Sequence, residues 1–472
     1  MDRIETDLLV IGAGSGGLSV AAGAAQMGAD VTLLEGGAMG GDCLNYGCVP
    51  SKSLLAAAKV AHGQAQAAAF GIADVAPQVD YAAAMGHVQE VIGRIAPHDS
   101  EERFEGLGVR VIRAWGRFVS DREVEAGEAR IRARRIVIAT GSSPAVPPIP
   151  GLESVPYLTN ETLWDLRERP GHLIVVGGGP IGMEMAQAHR RLGSAVTVLE
   201  GAAALGREDP EAAAVVLDRL RGEGVAIEEG VSAAEVRGEA GDLEVVAEDG
   251  RSFPGTHLLI AVGRRANTDA LDLDAAGIET TRTGVKVDAR LRTTNRRVFA
   301  IGDAAGGMQF THLAAYHAGI VIRQALFGLP ATARTDHIPR ATYTDPELAQ
   351  VGLTEAEARA AHGPKLEVAR FDYAGNDRAL AERKPEGFVK VMVVKGRPVG
   401  ATIVGHQAGE QIALWALMQA GGLKMKAVAD MVAPYPTIAE VSKRAAGAYF
   451  SPRLFDSALV KRVVGAVQTW LP

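Results

Sequence analysis

Cysteine is nearly absent: Cys43 and Cys48 are the only two in 472 residues. That scarcity excludes an extracellular disulfide framework and a thiolate zinc site, and it makes the cytoplasm the expected compartment. Aromatic residues are scarce at 5%, whereas glycines number 56, and the motifs below use a good share of them. A surplus of positive charge is missing too, and the net charge of −7 gives no electrostatic reason to expect nucleic acid as a partner. The first expected strand begins by Thr6, which leaves no room for a signal peptide. One uncharged run, 8–29, is long enough to span a bilayer, yet it holds six glycines and a strand-like first half. A phosphate-binding turn explains it better than a membrane span. The rest is ordinary for a globular chain, 47% hydrophobic and 22% charged, with length for about three domains that each bury a core.

The dominant feature is a duplication. Leu8-Leu9-Val10-Ile11 runs into Gly12-x-Gly14-x-x-Gly17, a helical stretch follows, and Val31-Thr32-Leu33-Leu34 ends at Glu35. The same order returns as Leu173-Ile174-Val175-Val176, Gly177-x-Gly179-x-x-Gly182, and Val196-Thr197-Val198-Leu199 before Glu200, every marker displaced by 165 (12 to 177, 35 to 200). The first glycine permits a tight turn, the second lets backbone approach a pyrophosphate, and the third lets helix pack on strand. The helix N-terminus then offers free N–H groups to the phosphates, and the acid accepts from the ribose hydroxyls. One such motif would be weak evidence; two in register predict two bound dinucleotides.

Two strands close these units, Ile136-Val137-Ile138-Ala139 before Thr140-Gly141, and Leu259-Ile260-Ala261-Val262 before Gly263. The proline-rich 143–150 reads as a linker. Val298-Phe299-Ala300-Ile301 ends at Gly302-Asp303, which taken alone is a plain turn. From about Thr342 strand-like runs (388–394, 399–404) alternate with helices, including the apolar 411–420, and no glycine fingerprint appears. The segment 454–471 carries apolar residues at 455, 459, 463 and 467, the spacing of one amphipathic helix. Such stripes usually pack on a core, so docking on the body or a partner subunit is expected ahead of a membrane surface, although Lys461 and Arg462 flank the stripe.

The cysteines lie in Gly40-Gly41-Asp42-Cys43-Leu44-Asn45-Tyr46-Gly47-Cys48-Val49-Pro50-Ser51-Lys52. Four intervening residues suit a disulfide across an irregular helical turn, and 53–60 reads as uninterrupted helix. A thiolate at a helix N-terminus gains acidity from the dipole and the free amides. Two buried free cysteines are the bland alternative.

This run resembles the active-site signature of the class I pyridine nucleotide-disulfide oxidoreductases, among them dihydrolipoamide dehydrogenase, glutathione reductase and mercuric reductase. The similarity extends over essentially the whole chain. It implies an α/β, glutathione reductase-like fold: two Rossmann-like dinucleotide-binding domains plus a C-terminal α+β dimerisation domain. The parts would be an FAD domain in two pieces (1–149 and 271–339), an NAD(P) domain (150–270) and an interface domain (340–472). It implies FAD in the first unit, with Gly12, Gly14, Gly17, Glu35, Gly41, Lys52, Gly116, Thr140, Gly141, Gly302 and Asp303 around it. Asp303 would meet the ribityl chain. The second unit would take NADH (NADPH possible) on Gly177, Gly179, Gly182, Glu184, Glu200 and Gly263. By the same resemblance Cys48 faces the flavin, Cys43 meets the acceptor, and Lys52 pairs with Glu184 beside the ring; alone, each of those two is more often a solvated charge on a helix.

The pattern breaks at Ala433-Pro434-Tyr435-Pro436-Thr437-Ile438-Ala439-Glu440, which resembles the family's His-Pro-Thr-x-x-Glu motif with Tyr435 at the histidine position and Glu440 retained. In that motif the partner subunit of a homodimer supplies an acid/base pair to the acceptor thiol. Tyrosine, with a pKa near 10, is a poor base at neutral pH. His312, His317 and His406 read as structural or surface residues. Mercuric reductase also carries tyrosine there but ends in a second cysteine pair that this chain lacks. No resident metal site is expected. The leading expectation is an NADH-dependent reductase relaying electrons through FAD and Cys43–Cys48 to a small acceptor that needs little proton help: a metal ion, a quinone or a small disulfide. A dihydrolipoamide dehydrogenase-type activity comes second. A redox-sensing protein without turnover comes third, and the cysteine pair with Lys52 and Glu184 argues against it.

Overall fold

The computed structural model describes residues 2–471. They form two compact units: one runs to Ala202 and resumes over Glu228–Arg334, the other comprises Ala203–Ile227 and the chain from Thr335 onward. The first unit holds both glycine motifs. Its larger sheet sets Val109–Ile112, Val31–Leu34, Asp2–Ile11, Ala129–Ile138 and Val298–Ala300 side by side in parallel. The stretches 8–11, Val31–Leu34, 136–138 and Val298–Ala300 are mostly apolar and buried on both faces, as a parallel sheet covered by helices requires. The helix Ser15–Gln26 packs on this sheet with Thr311–Ala325 beside it.

The duplication persists in the hydrogen-bond register. Leu8 pairs with Val31 and Ile11 with Leu34; Leu173 pairs with Val196 and Val176 with Leu199. In both copies the first strand lies between the second and the closing strand, Ala129–Ile138 in one and His257–Ile260 in the other. Each copy also carries a three-stranded antiparallel meander just before or within its closing strand, through Gly116–Phe118 and Glu123–Ala126 in the first and Ala233–Glu239, Asp242–Ala247 and Ser252–Gly255 in the second. The stretch read as a linker opens with a short strand, Ser142–Pro144, paired to Arg264–Ala266.

The second unit is built on a five-stranded antiparallel sheet in the order Pro339–Thr342, Glu347–Gly352, Arg397–Gly405, Phe388–Val394, Leu366–Asp372. The helices Ala408–Ala420 and Glu440–Phe455 cover it, and Trp415, wholly buried, donates its indole N–H to Ser442 Oγ at 3.1 Å. The apolar helix thus starts three residues ahead of the expected 411. The expected single helix over 454–471 is two: Leu454 and Phe455 end Glu440–Phe455, and Ser457 caps a new helix, Ala458–Trp470, by accepting from Val460 N. A side-chain oxygen at Ser457 satisfies an amide that a continuous helix would have bonded internally. That last helix buries none of its residues, so docking on the chain's own body is overturned. No helix among the described residues is long and apolar enough to cross a membrane, and no cluster of three or more His, Cys, Asp or Glu side chains among them is placed to hold a metal ion.

Lys390, 4% exposed, is a buried cation of this unit. Its Nζ lies 2.9 Å from Asp209, 3.1 Å from Glu211 and 3.0 Å from Glu355. Burial works against its charge, but the three carboxylates outweigh that and hold its pKa above the usual lysine value. Glu211 and Glu355 answer in kind: burial opposes their ionisation, and hydrogen bonds from Lys390 and its arginine neighbours pull both below the ordinary 4.5. Depressed carboxylates stabilise the fold above their unfolded pKa and lose that contribution as pH falls through the folded one, whereas the lysine's contribution fades only in strong alkali. Thermal scans of the unmodified protein should therefore show Tm dropping as pH falls below about 4.5. Lys390→Met, which strands the buried Asp209 carboxylate, should cost about 3 kcal/mol in urea unfolding at neutral pH; an unchanged midpoint would show the cluster to be inert.

Candidate active site

Each glycine turn divides its three glycines by what surrounds them. Gly12 has φ +106° and Gly177 +115°, and a Cβ at either would lie 2.4 Å from a carbonyl oxygen, of Ala139 or Ala261. At Gly17 and Gly182 a Cβ would fall 1.8 and 2.0 Å from the carbonyl oxygens of Gly12 and Gly177. The middle glycines differ: a Cβ at Gly179 meets nothing within 4 Å, and at Gly14 only the Gly41 Cα at 4.0 Å. Two glycines of each motif serve the chain's own packing, and the third leaves a space. Gly14 and Gly179 are also the N-caps of Ser15–Gln26 and Pro180–Arg191, and neither helix has a side-chain cap. Free amides and the positive dipole end therefore face that space, which suits a phosphate.

The two acids sit identically. Glu35 accepts from Ala13 N at 2.7 Å and Gly37 N at 2.6 Å; Glu200 accepts from Gly178 N at 2.7 Å and Ala202 N at 2.9 Å. Each carboxylate is pinned to the turn with lone pairs left for ribose hydroxyls. The residues fit a dinucleotide in both places. Around the first turn, Gly40 N bonds Ala13 O at 3.0 Å, Gly302 N donates to the buried His317 Nδ1 at 3.2 Å, and Asp303 accepts from Ser142 Oγ at 2.5 Å. His317 is therefore a structural acceptor, kept neutral by burial, which lowers its pKa to about 4. Thr140 Oγ1 donates to Asn267 O at 2.6 Å, Gly116 packs against Leu34 and Val124, and Gly141 and Gly263 have positive φ with open space about them.

Cys43 lies in the short helix Gly41–Asn45, and Cys48 is the first residue of Cys48–Gln64, which extends beyond the expected 53–60 at both ends. Pro50 fits there because a first-turn N–H has no intrahelical partner. The two sulfurs lie within hydrogen-bonding reach of each other. Their acidities are driven apart. The hydrogen bond from Cys43 is the main influence lowering Cys48 to about 6, against burial and with help from Thr311 and Lys52. Cys43 moves well above the usual thiol value because it holds the proton of that hydrogen bond and is itself buried. Thr311 Oγ1 stands 3.3 Å from Cys48 Sγ. The surroundings thus favour the thiolate at Cys48 and the thiol at Cys43. Four residues on, Lys52 Nζ donates to Glu184 Oε2 at 2.8 Å, and Glu184 is only 4% exposed. Cys43, Cys48, Lys52 and Glu184 are thus brought together.

Tyr435 and Glu440 belong to the other unit and do not bond each other. Tyr435, 70% exposed, donates its phenol to Asp377 Oδ2 at 2.8 Å, while Glu440 accepts from Thr437 N at 3.4 Å. The Asp377 carboxylate raises the tyrosine's pKa further. His406 ion-pairs with Glu382 at 3.2 Å, and His312 stacks on Phe310. Sequence reasoning missed Thr311 and Asp377, which carry no local signal. It also passed over Asp42 and Arg264, although they adjoin Cys43 and Gly263.

Residues 6–318 match the pyridine nucleotide-disulphide oxidoreductase family, and residues 338–446 match that family's dimerisation domain. The chain belongs to this family. Its relatives include a mercuric reductase of Streptomyces lividans, 35% identical over 457 residues (94% of this chain, 96% of the relative), and dihydrolipoyl dehydrogenase 3 of Haloarcula marismortui, 35% identical over 462 residues (94% and 96%). Among solved structures, the HOCl-induced flavoprotein disulfide reductase RclA of Escherichia coli, determined also as a Cu(II) complex, superposes with a TM-score of 0.84 at 29% identity (93% of this chain, 99% of that one). LpdA of Mycobacterium tuberculosis gives 0.87 at 26% identity (95% and 99%). The fold is glutathione reductase-like, and members of the family use FAD and a nicotinamide dinucleotide.

The glycine geometry has a direct consequence for stability. Gly17→Ala and Gly182→Ala should each destabilise the protein by about 3 kcal/mol or more, since backbone must move to admit the methyl. Gly179→Ala, at φ −77° with open space, should shift it by no more than about 0.5 kcal/mol. Chemical denaturation of the three variants checks the contrast, and equal losses would refute it.

Proposed function

We propose that this chain is an NADH-dependent reductase that passes an electron pair through FAD to the Cys43–Cys48 disulfide and from the resulting dithiol to a small acceptor that needs no proton shuttle. The observation that carries the reading is the juxtaposition of Cys43 and Cys48 with Thr311 and the Lys52–Glu184 pair, in one unit with both dinucleotide cradles. The cradle at Gly12–Gly17, with Gly41, Gly116, Thr140, Gly141 and Asp303 around it, would hold FAD, and that at Gly177–Gly182 the nicotinamide dinucleotide. Residues 1–149 and 271–339 would then form the FAD domain, 150–270 the NAD domain and 340–472 the interface. Bound FAD supplies the two-electron carrier between nicotinamide and disulfide. The chain's own part is to keep Cys48 as thiolate through Thr311, Cys43 and the helix N-terminus, and to fix a cation there by pairing Lys52 with the buried Glu184. Cys43 holds its proton at rest, meets the acceptor, and gives that proton up as the disulfide re-forms.

The match to the dimerisation domain supports a homodimer, in which Tyr435 and Glu440 of one chain approach Cys43 of the other and a partner subunit covers the exposed stripe of Ala458–Trp470. Tyr435 bound to Asp377 is a donor, not a base. Acceptors that need a positioned acid–base group to move protons are therefore disfavoured, and a metal ion, a quinone or a small disulfide with a good leaving group is favoured. Relatives named for mercury reduction, and RclA solved with Cu(II), agree with that order. Steady-state NADH oxidation against such a panel tests it.

Three outcomes are expected. Anaerobic titration with NADH should take up one electron pair more per chain than in a Cys43→Ser, Cys48→Ser variant; identical uptake would remove the dithiol from the path. The value of kcat/KM should favour NADH over NADPH, because the Glu200 carboxylate repels a 2′-phosphate; equal values would mean another residue reads the ribose. Dihydrolipoamide turnover should sit about 10²- to 10⁴-fold below what a positioned base provides, and Tyr435→His should raise it. Turnover of dihydrolipoamide on the order of hundreds per second by the unmodified enzyme would sink the acceptor assignment.

A further inference from the structure

We propose that Arg264 is a positioning residue that ties the dithiol segment to the Ser142–Asp303 edge of the first cradle and cancels the charge of Asp42 beside the two sulfurs. The role rests on the dithiol being the redox centre. The guanidinium is only 12% exposed and spans three partners. Its Nε donates to Ser142 Oγ at 2.7 Å and its Nη2 to Ser142 O at 2.6 Å, and Nη2 lies 2.9 Å from Asp42 Oδ1. Asp303 Oδ2, which accepts from the same Ser142 hydroxyl at 2.5 Å, is 4.0 Å from Nε. A planar fork can serve a hydroxyl, a carbonyl and a carboxylate at once; an ammonium cannot. The strand pairing of Arg264–Ala266 with Ser142–Pro144 fixes the root of the side chain.

Asp42 is a liability that needs such a partner. It directly precedes Cys43, and its negative charge disfavours the thiolate at both sulfurs. The other groups facing Cys48 are Cys43, Thr311 and Lys52, and the lysine is already committed to Glu184. What Asp42 provides is anchorage: its Oδ1 also accepts from Asn160 Nδ2 at 3.0 Å, and Asn160 and Trp164 both donate to Tyr46 O, at 3.3 and 2.9 Å. The loop between the cysteines is thereby held from both sides. Arg264 lets the anchor be charged without raising the acidity threshold of the sulfur it anchors.

The test is iodoacetamide labelling of the phosphine-reduced flavoprotein, read at each cysteine by mass spectrometry from about pH 5 to 9. At about pH 5 the thiolate fraction changes tenfold per pKa unit. Arg264→Gln should slow Cys48 labelling there by about three- to tenfold, Asp42→Asn should accelerate it, and the double variant should return to within about twofold of the unmodified protein. Arg264→Gln without effect, or a slowing that Asp42→Asn does not reverse, would overturn the proposal. If Arg264→Gln does not fold, Asp42→Asn alone decides: unchanged labelling refutes the charge balance and acceleration upholds it. Failure of the functional reading itself would show separately, as NADH titration of the unmodified protein without the extra electron pair.

Discussion

The approach of the Gly17 Cα to the Gly12 carbonyl, repeated between Gly182 and Gly177, is the constraint on which the site depends. A helix can aim its free amides at a phosphate only if its first turn lies directly on the end of the preceding strand. At this distance no side chain can intervene. The middle glycine then faces outward with nothing before it, so the same turn that closes the core leaves a cradle. Glu35 and Glu200 reinforce the arrangement by bonding the turn's own backbone, in equivalent atoms 165 positions apart (200 less 35). A duplicated sequence has kept a duplicated register, down to which strand residues face each other.

From that turn the dithiol is positioned by direct steps. Gly40 bonds Ala13 O, and Gly41 lies so near Gly14 that a Cβ would come 2.7 Å from its Cα. The chain cannot leave the cradle there; it must start the short helix that carries Cys43, and Cys48 follows at the head of the next. Lys52, one turn further, reaches Glu184 on Pro180–Arg191, the helix that begins at the second cradle. The two cysteines are thus fixed to both cradles through backbone approach on one side and an ion pair with a buried carboxylate on the other. A cation held by a buried partner is worth more for placement than for stability, since desolvation offsets much of the attraction.

Much of this was legible because it is local or repeated. Glycine spacing, the strand tips at Glu35 and Glu200, the cysteine run and its helix start are all short-range patterns with a physical reason for each residue. Thr311 was not legible: it reaches Cys48 from 263 positions away, through the docking of one helix, and threonine at a helix start has many ordinary uses. Asp377 escaped for the same reason, and with it the fact that Tyr435 bonds there instead of to Glu440. The last helix was misjudged at its boundary because periodicity reports which face is apolar but not where a cap interrupts the ladder. Ser457 does so in one residue, and Leu454 and Phe455 fall to the helix before.

The electrostatics of the pair also bear on how little help it needs from elsewhere. A thiolate survives near neutral pH only where its surroundings stabilise charge more than burial penalises it. Here a neighbouring thiol, a hydroxyl and a lysine do so at Cys48, all within one unit. The cost falls on Cys43, which is held protonated by the same hydrogen bond. Such a pair can hold an electron pair as one thiolate and one thiol without any external base. Re-forming the disulfide releases the Cys43 proton, and a positioned acid–base group matters most when the acceptor leaves as a poor thiolate that must take that proton up. Tyr435, committed as a donor to Asp377, is a poor carrier for that proton. On the proposed function, a phenol in place of an imidazole at this loop would leave the reductive half of the cycle whole and narrow what can oxidise the pair.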